Sequence, residues 1–172
     1  EALYYKIKDD AVECLLCPHH CILKEGKTGV CGVRENNGGK LYTSIYGELT
    51  SAAIDPMEKK PLYHFYPGTE IYSIGTRGCN LKCPFCQNWS ISQDLRAVSS
   101  YRPPEETVDI ALSSGSVGIA YTYSEPTIWF EYVRDTALLA KENGLKNVLV
   151  TNGYINPEPL EEFTGFIDAM NI

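Results

Sequence analysis

The chain has no excess of basic residues. Fifteen Lys and Arg stand against twenty-two Asp and Glu, a formal net charge of −7. So acidic a chain lacks the positive footprint that nucleic acids and membrane surfaces select, and neither is expected as a partner. No apolar run approaches the roughly 18 residues that cross a bilayer. The opening residues, Glu1-Ala2-Leu3-Tyr4-Tyr5-Lys6, have neither a basic n-region nor an apolar h-region, so no secretory signal is visible. No internal repeat or low-complexity segment is evident. Seven cysteines are an odd number, which argues against a framework made only of disulfides. The expected compartment is cytoplasmic, where clustered cysteines bind metal or do chemistry.

What is present is ordinary globular composition: 172 residues, 44% hydrophobic and 22% charged, enough to bury a core without staples. The cysteines fall into two groups, Cys14, Cys17, Cys21 and Cys31 near the start and Cys79, Cys83 and Cys86 in the middle. Residues 1–69 read as a cysteine-rich module with a connector. Its turn signals are Gly26, Gly29, Gly32 and the run Asn36-Asn37-Gly38-Gly39, which suits a hairpin leading into an alternating strand over Leu41–Leu49. Pro56, Pro61 and Pro67 mark residues 50–69 as an ordered connector. From residue 70 to 172 strands alternate with helices. Short strands are predicted at Ile71–Ile74, Val117–Tyr121 and Asn147–Thr151, and the start of another at Ile167–Ile172. Pro103-Pro104, Pro126 and Pro157 or Pro159 open the intervening helices. The first helix presents Val108, Ala111 and Leu112 on one face. The second recurs through Ile128, Trp129, Tyr132, Val133, Thr136, Ala137, Leu139 and Ala140 before Gly144. Strand–helix alternation implies parallel β/α units, about three in number.

The central group reads C-x3-C-x2-C over Cys79–Cys86 and follows a strand through Gly75-Thr76-Arg77-Gly78. In β/α folds, ligands bind beyond the carboxyl ends of the strands. A structural zinc site and a simple ferredoxin cluster each take four closed ligands. Three thiolates leave one metal position open, and on a cubic 4Fe–4S cluster that position is an iron free to coordinate something other than protein. The bland alternatives are a three-cysteine zinc site completed by a distant His, or three unrelated buried thiols.

The triplet, with Phe85 before its last cysteine, resembles the signature of the radical S-adenosylmethionine (SAM) superfamily. The resemblance implies an α/β fold of partial (β/α) barrel type, here stopping after about three units. It implies a 4Fe–4S cluster on Cys79, Cys83 and Cys86, SAM chelated to the fourth iron, and Phe85 near the adenine. One electron would cleave SAM reductively to methionine and a 5′-deoxyadenosyl radical, which abstracts hydrogen from a substrate. The electron would come from a donor such as a flavodoxin or ferredoxin. Glu125 matches the carboxylate of the superfamily's Gly-Gly-Glu motif and would accept hydrogen bonds from the SAM ammonium. Tyr123 and Ser124 replace the glycines. Otherwise Glu125 simply suits the start of a helix. Asn152, in Thr151-Asn152-Gly153, lines the pocket or is a plain turn residue; Val150 stands where glycyl-radical activating enzymes carry an Asp. Cys14–His19, Asp55–Phe65, Gly75–Asn80 and Cys86-Gln87-Asn88 resemble one subgroup, the AmmeMemoRadiSam-system radical SAM proteins, often labelled pyruvate formate-lyase activating enzyme-like. That likeness implies an enzyme acting on a protein or small molecule. It does not imply which.

The N-terminal group, Cys14-x2-Cys17-x3-Cys21-x9-Cys31, offers four thiolates, with His19 and His20 as alternatives. A closed zinc site, a second iron–sulfur cluster, and disulfides or free thiols are all readings of it. Two other functions remain open: a zinc-binding interaction module with both cysteine groups structural, and a two-cluster electron carrier, against which the open triplet counts. His64 reads as a connector residue, Lys59-Lys60 as a solvated turn, and the Tyr and Trp residues of 121–132 as core. A parallel sheet stopping at Ile172 would be a fragment or an incompletely observed protein, and its last segment is expected to expose an apolar face.

Overall fold

A computed structural model describes residues 1–172. Two small antiparallel units come first. Strands β1 (Tyr5–Lys8), β2 (Ala11–Cys14) and β3 (Ile22–Lys24) form a three-stranded sheet in that order. Strands β4 (Arg34–Asn37) and β5 (Lys40–Thr43) form the expected hairpin. Its two turn residues, Gly38 and Gly39, have φ of 64° and 75°. Turns with both φ positive match the right-handed twist of the strands, and glycine enters them without a Cβ penalty.

The alternating stretch 41–49 is not one strand. β5 stops at Thr43, and β6 (Glu48–Leu49) pairs with Ser100–Tyr101 instead. The chain turns here: the Ile45 carbonyl accepts the Glu48 N–H at 3.0 Å, with Gly47 at φ of 74°, and the Trp129 indole N–H donates to the same carbonyl at 2.6 Å. The supposed connector also contains a strand. β7 (Ser51–Pro56) runs antiparallel to β8 (Glu70–Gly75), in register from Ser51↔Gly75 to Pro56↔Glu70. Its residues are small or polar and its Ile54 is partly exposed, so backbone pairing rather than a buried apolar face holds it.

After β8 come a short helix α1 (Trp89–Ser92), β9 (Ser100–Tyr101), α2 (Pro104–Ser113), β10 (Gly118–Tyr121), α3 (Phe130–Glu142), β11 (Lys146–Val150), α4 (Pro157–Thr164) and β12 (Ala169–Asn171). The main sheet has the order β12-β11-β10-β8-β7, parallel except for β7. It is an open sheet and closes no barrel. Helices supply the crossovers that parallel strands require. The boundary expected between residues 69 and 70 falls between two strands of this one sheet.

The larger of two apolar clusters extends from Val12, Leu16, Leu23, Val33 and Leu41 to Ile74, Val133 and Phe163. Pro126 opens a 3₁₀ turn (Pro126–Trp129) rather than the α-helix itself, which begins at Phe130. Trp129 and Tyr132 stack at 4.4 Å between ring centroids, and both are buried as expected. On α2, Val108 and Ala111 are buried but Leu112 is exposed; the third buried position is Thr107, whose hydroxyl lies 2.7 Å from the Tyr132 hydroxyl. Buried Arg34 ties the hairpin to α3 through both oxygens of Glu131, at 3.0 and 3.1 Å. β12 has no strand on its outer side, and Ile172 is exposed. No helix is long and apolar enough to cross a membrane.

Candidate functional site

The site begins where β8 ends. Gly78 has φ of 90°, and a Cβ there would stand 2.7 Å from Val33 Cγ1, so only glycine turns the chain this close to the N-terminal region. Asn80, 1% exposed, pins the loop that follows. Its amide donates to the Tyr154 carbonyl at 2.8 Å, and its Oδ1 accepts from Asn152 Nδ2 at 2.9 Å. Its own carbonyl lies 2.7 Å from His19 Nε2. The loop closes with the Cys86 amide donating to the Cys83 carbonyl at 3.2 Å, just ahead of α1.

Cys79, Cys83 and Cys86 all line one open cleft of about 550 Å³ beside Val150, Thr151 and Asn152 after β11, and Thr122–Glu125 after β10. This is the carboxyl end of the parallel strands, where β/α sheets bind ligands, and the volume is in the range of small-molecule sites. No fourth cysteine lines it. No disulfide joins any of the seven cysteines. Polar groups already face the sulfurs. The Leu81 N–H donates to Cys79 Sγ at 3.4 Å, Ser92 Oγ lies 3.6 Å from Cys86 Sγ, and Asn152 Nδ2 lies 4.0 Å from Cys79 Sγ. Burial pushes the Cys79 thiol up. No set of three or more His, Cys, Asp or Glu side chains stands in metal-binding geometry. The donor set still fits an iron–sulfur cluster: three soft ligands converge on one cleft, with hydrogen-bond donors of the kind that tune such clusters.

Glu125 lines the cleft but is 2% exposed. Its carboxylate accepts from the Thr127 N–H at 2.9 Å, the Thr151 hydroxyl at 2.6 Å and the Asn152 N–H at 2.8 Å. Burial raises its pKa, and those three hydrogen bonds only partly offset the rise. Glu125 therefore ties the strand ends of β10 and β11 together. Asn152 is more than a turn residue. It lines the cleft and touches both Asn80 and Glu125, while its Oδ1 accepts the Tyr154 N–H at 2.9 Å. Phe85 is placed elsewhere: its side chain is 85% exposed and is not among the lining residues.

The reading of Lys59-Lys60 as a solvated turn fails for Lys60. Its side chain is 2% exposed, and its ammonium lies 2.7 Å from Asp55 Oδ2 and 4.9 Å from the centre of the Tyr123 ring. Lys59 and the Tyr123 hydroxyl complete the cluster, at 2.7 and 2.5 Å from Asp55. Burial alone would raise the Asp55 carboxyl, but the hydrogen bonds from Lys59, Lys60 and Tyr123 prevail and hold it well below the usual carboxylate range. Burial lowers Lys60 in spite of Asp55. Tyr123 is a wall of the cleft rather than core, with φ of 66°. Asp55 and Lys59 stand four positions apart, but no local spacing in the sequence announces the Lys60 contact, which depends on the turn after β7. His64 is an exposed connector residue.

The N-terminal cysteines gather separately. Cys14, Cys17, Cys21 and Cys31 line a small pocket with His19 and Arg34. Three of them are buried and Cys21 is half-buried. Burial raises the thiols of Cys17 and Cys31.

Residues 73–172 match the family model of the radical SAM superfamily. The chain is 51% identical over 175 residues to the uncharacterised protein MJ0808 of Methanocaldococcus jannaschii, covering 100% of this chain and 52% of that protein. It is 30% identical over 97 residues to a protein of the same organism named "Putative glycyl-radical enzyme activating enzyme MJ1227", covering 56% of this chain and 39% of that protein. A further uncharacterised protein, MJ0674 of the same organism, is 31% identical over 81 residues, covering 46% of this chain and 19% of its own length. The chain thus spans about half the length, or less, of the curated relatives it matches. The family match takes in more than half of the chain and every strand end that surrounds the cysteine triplet: the protein belongs to the radical SAM superfamily.

Proposed function

We propose that this chain carries the cluster-binding and SAM-binding half of a radical SAM enzyme of activating-enzyme type. The observation that carries the reading is the convergence of three cysteines, and no fourth, on one cleft at the carboxyl ends of parallel strands. Cys79, Cys83 and Cys86 hold a 4Fe–4S cluster and leave one iron for SAM. The cluster, when bound, supplies the electron that splits SAM into methionine and a 5′-deoxyadenosyl radical able to abstract hydrogen.

The chain's own groups orient the ligand. A carboxylate has about four acceptor positions, and the protein uses three on Glu125, leaving one directed at the SAM ammonium. Asn152 bridges that carboxylate to the cysteine loop through Asn80, so ammonium and cluster are held in one frame. Lys60 and Tyr123 line the same cleft, and Asp55 behind them accepts from both, so the wall carries no lone buried charge to neutralise. The relative named as a putative glycyl-radical enzyme activating enzyme favours a protein substrate; a flavodoxin or ferredoxin is the electron donor proposed with it.

The test is SAM cleavage. Protein reconstituted anaerobically with iron and sulfide, then reduced with dithionite, releases 5′-deoxyadenosine from SAM. Cys79→Ala abolishes release. Protein that takes up its full iron and sulfide but yields no 5′-deoxyadenosine overturns the reading.

A further inference from the structure

The second cysteine group has a geometry of its own. Cys14 ends β2, Cys17 and Cys21 bracket the loop before β3, and Cys31 precedes β4. Chain segments up to seventeen residues apart in sequence thus bring four thiols to one pocket of about 20 Å³. That is room for roughly one water-sized occupant. The walls include Leu16, 1% exposed, Leu23, 5%, and Ile128, 1%, so a single ion displaces less of the core than an iron–sulfur cube.

The remaining wall residue points to charge. Arg34 lines the pocket and is 1% exposed. Its two terminal nitrogens are satisfied by Glu131 and the Leu3 carbonyl, but its Nε–H has no hydrogen-bond partner. A buried, unpaired N–H of a guanidinium costs free energy unless an acceptor faces it. Four thiolates around a divalent ion carry a net charge of about −2 and present sulfur acceptors. Thiols alone offer weak acceptors and no charge.

We infer that Cys14, Cys17, Cys21 and Cys31 bind one thiophilic divalent ion, zinc by preference, as a closed tetrathiolate, with Arg34 Nε–H donating to a coordinating sulfur. The four thiols line the pocket but stand outside metal-ligand geometry. The ion closes them in to Zn–S distances of about 2.3 Å, and Cys21, the half-buried member on the loop, has the most freedom to move. Binding also stiffens the loop that carries His19, whose Nε2 touches the Asn80 carbonyl beside Cys79. This goes beyond the SAM chemistry proposed above and does not depend on it.

The test uses the full chain with the central site removed, Cys79→Ala/Cys83→Ala/Cys86→Ala, grown with both zinc and iron and purified anaerobically. The expected result is about one zinc per chain and no acid-labile sulfide. Exchange of that zinc for cobalt gives the visible d–d bands of a tetrahedral site and an intense thiolate charge-transfer band. Adding Cys31→Ser removes most of the bound zinc; should that variant not fold, the cobalt spectrum still decides the ligand set. Protein without zinc, a cobalt spectrum lacking thiolate charge transfer, or iron with labile sulfide on the triple variant overturns the inference. None of these readings depends on whether the central triplet binds SAM.

Discussion

Replacing Lys60 by methionine tests the least expected feature of the cleft. The substitution keeps the length of the side chain and removes its charge. In the parent protein the Lys60 ammonium sits 2.7 Å from Asp55, with the two side chains 2% and 5% exposed. Removing one partner of a buried pair costs about 3–5 kcal/mol when the other charge is left with nothing. Asp55 is not left with nothing, because Lys59 at 2.7 Å and the Tyr123 hydroxyl at 2.5 Å stay in place. Lys59 is largely exposed, so its contribution is screened. We therefore expect a loss of about 2–3 kcal/mol. The double variant Asp55→Asn/Lys60→Met leaves no buried charge and should return to within about 1 kcal/mol of the parent. Urea unfolding at pH 7, with the four corners of this cycle measured on metal-free protein, gives both quantities. A single variant that loses less than about 1 kcal/mol would refute the buried pair, because exposed pairs are worth up to about that much.

Two further outcomes follow from the same geometry. Asp55 is held below its ordinary value of 3.8, so the stability it contributes is present above that pH and is lost as pH falls towards its depressed folded value; the parent should weaken progressively below about pH 4, and the Asp55→Asn/Lys60→Met variant should show a shallower acid limb in the same titration. Glu125→Gln replaces one of two acceptor oxygens with a donor where the Asn152 N–H, the Thr127 N–H and the Thr151 hydroxyl all converge; it should cost about 2–3 kcal/mol in urea unfolding and weaken SAM binding measured by calorimetry, whereas unchanged stability would mean the carboxylate is not the tie between the strand ends.

The parts of the fold that were legible in sequence are those where the local signal and the tertiary outcome agree. α3 is one: its apolar spacing became a buried face carrying Phe130, Tyr132, Val133, Ala137 and Ala140. The β4–β5 hairpin is another, because Gly38-Gly39 has few other uses. The misses share a cause, which is a long-range partner that local pattern cannot reveal. β7 has little apolar face and forms because β8 offers an edge. The strand read across residues 41–49 breaks at a turn over Ile45–Glu48, held from far along the chain by Trp129 and by the pairing of Glu48–Leu49 with Ser100–Tyr101. Lys60 looked solvated because nothing in its neighbourhood showed that Tyr123 would fold over it. At the candidate site, the cysteine spacing and strand-end placement were readable, and Glu125 and Asn152 do lie in the same cleft as the triplet. That Asn80 would join them through both its side chain and its carbonyl was not readable, since it depends on the Asn152–Tyr154 loop and His19 arriving from two distant segments.

The central claim is that the cluster keeps an iron open to SAM, and electron paramagnetic resonance of the reduced, reconstituted protein addresses it without waiting for turnover. The account predicts the signal of a reduced 4Fe–4S cluster that changes shape when SAM is added, because SAM becomes a ligand to the iron, and that is lost when Cys79, Cys83 and Cys86 are replaced together. A cluster signal that is identical with and without saturating SAM, or one that survives loss of the three cysteines, would contradict it.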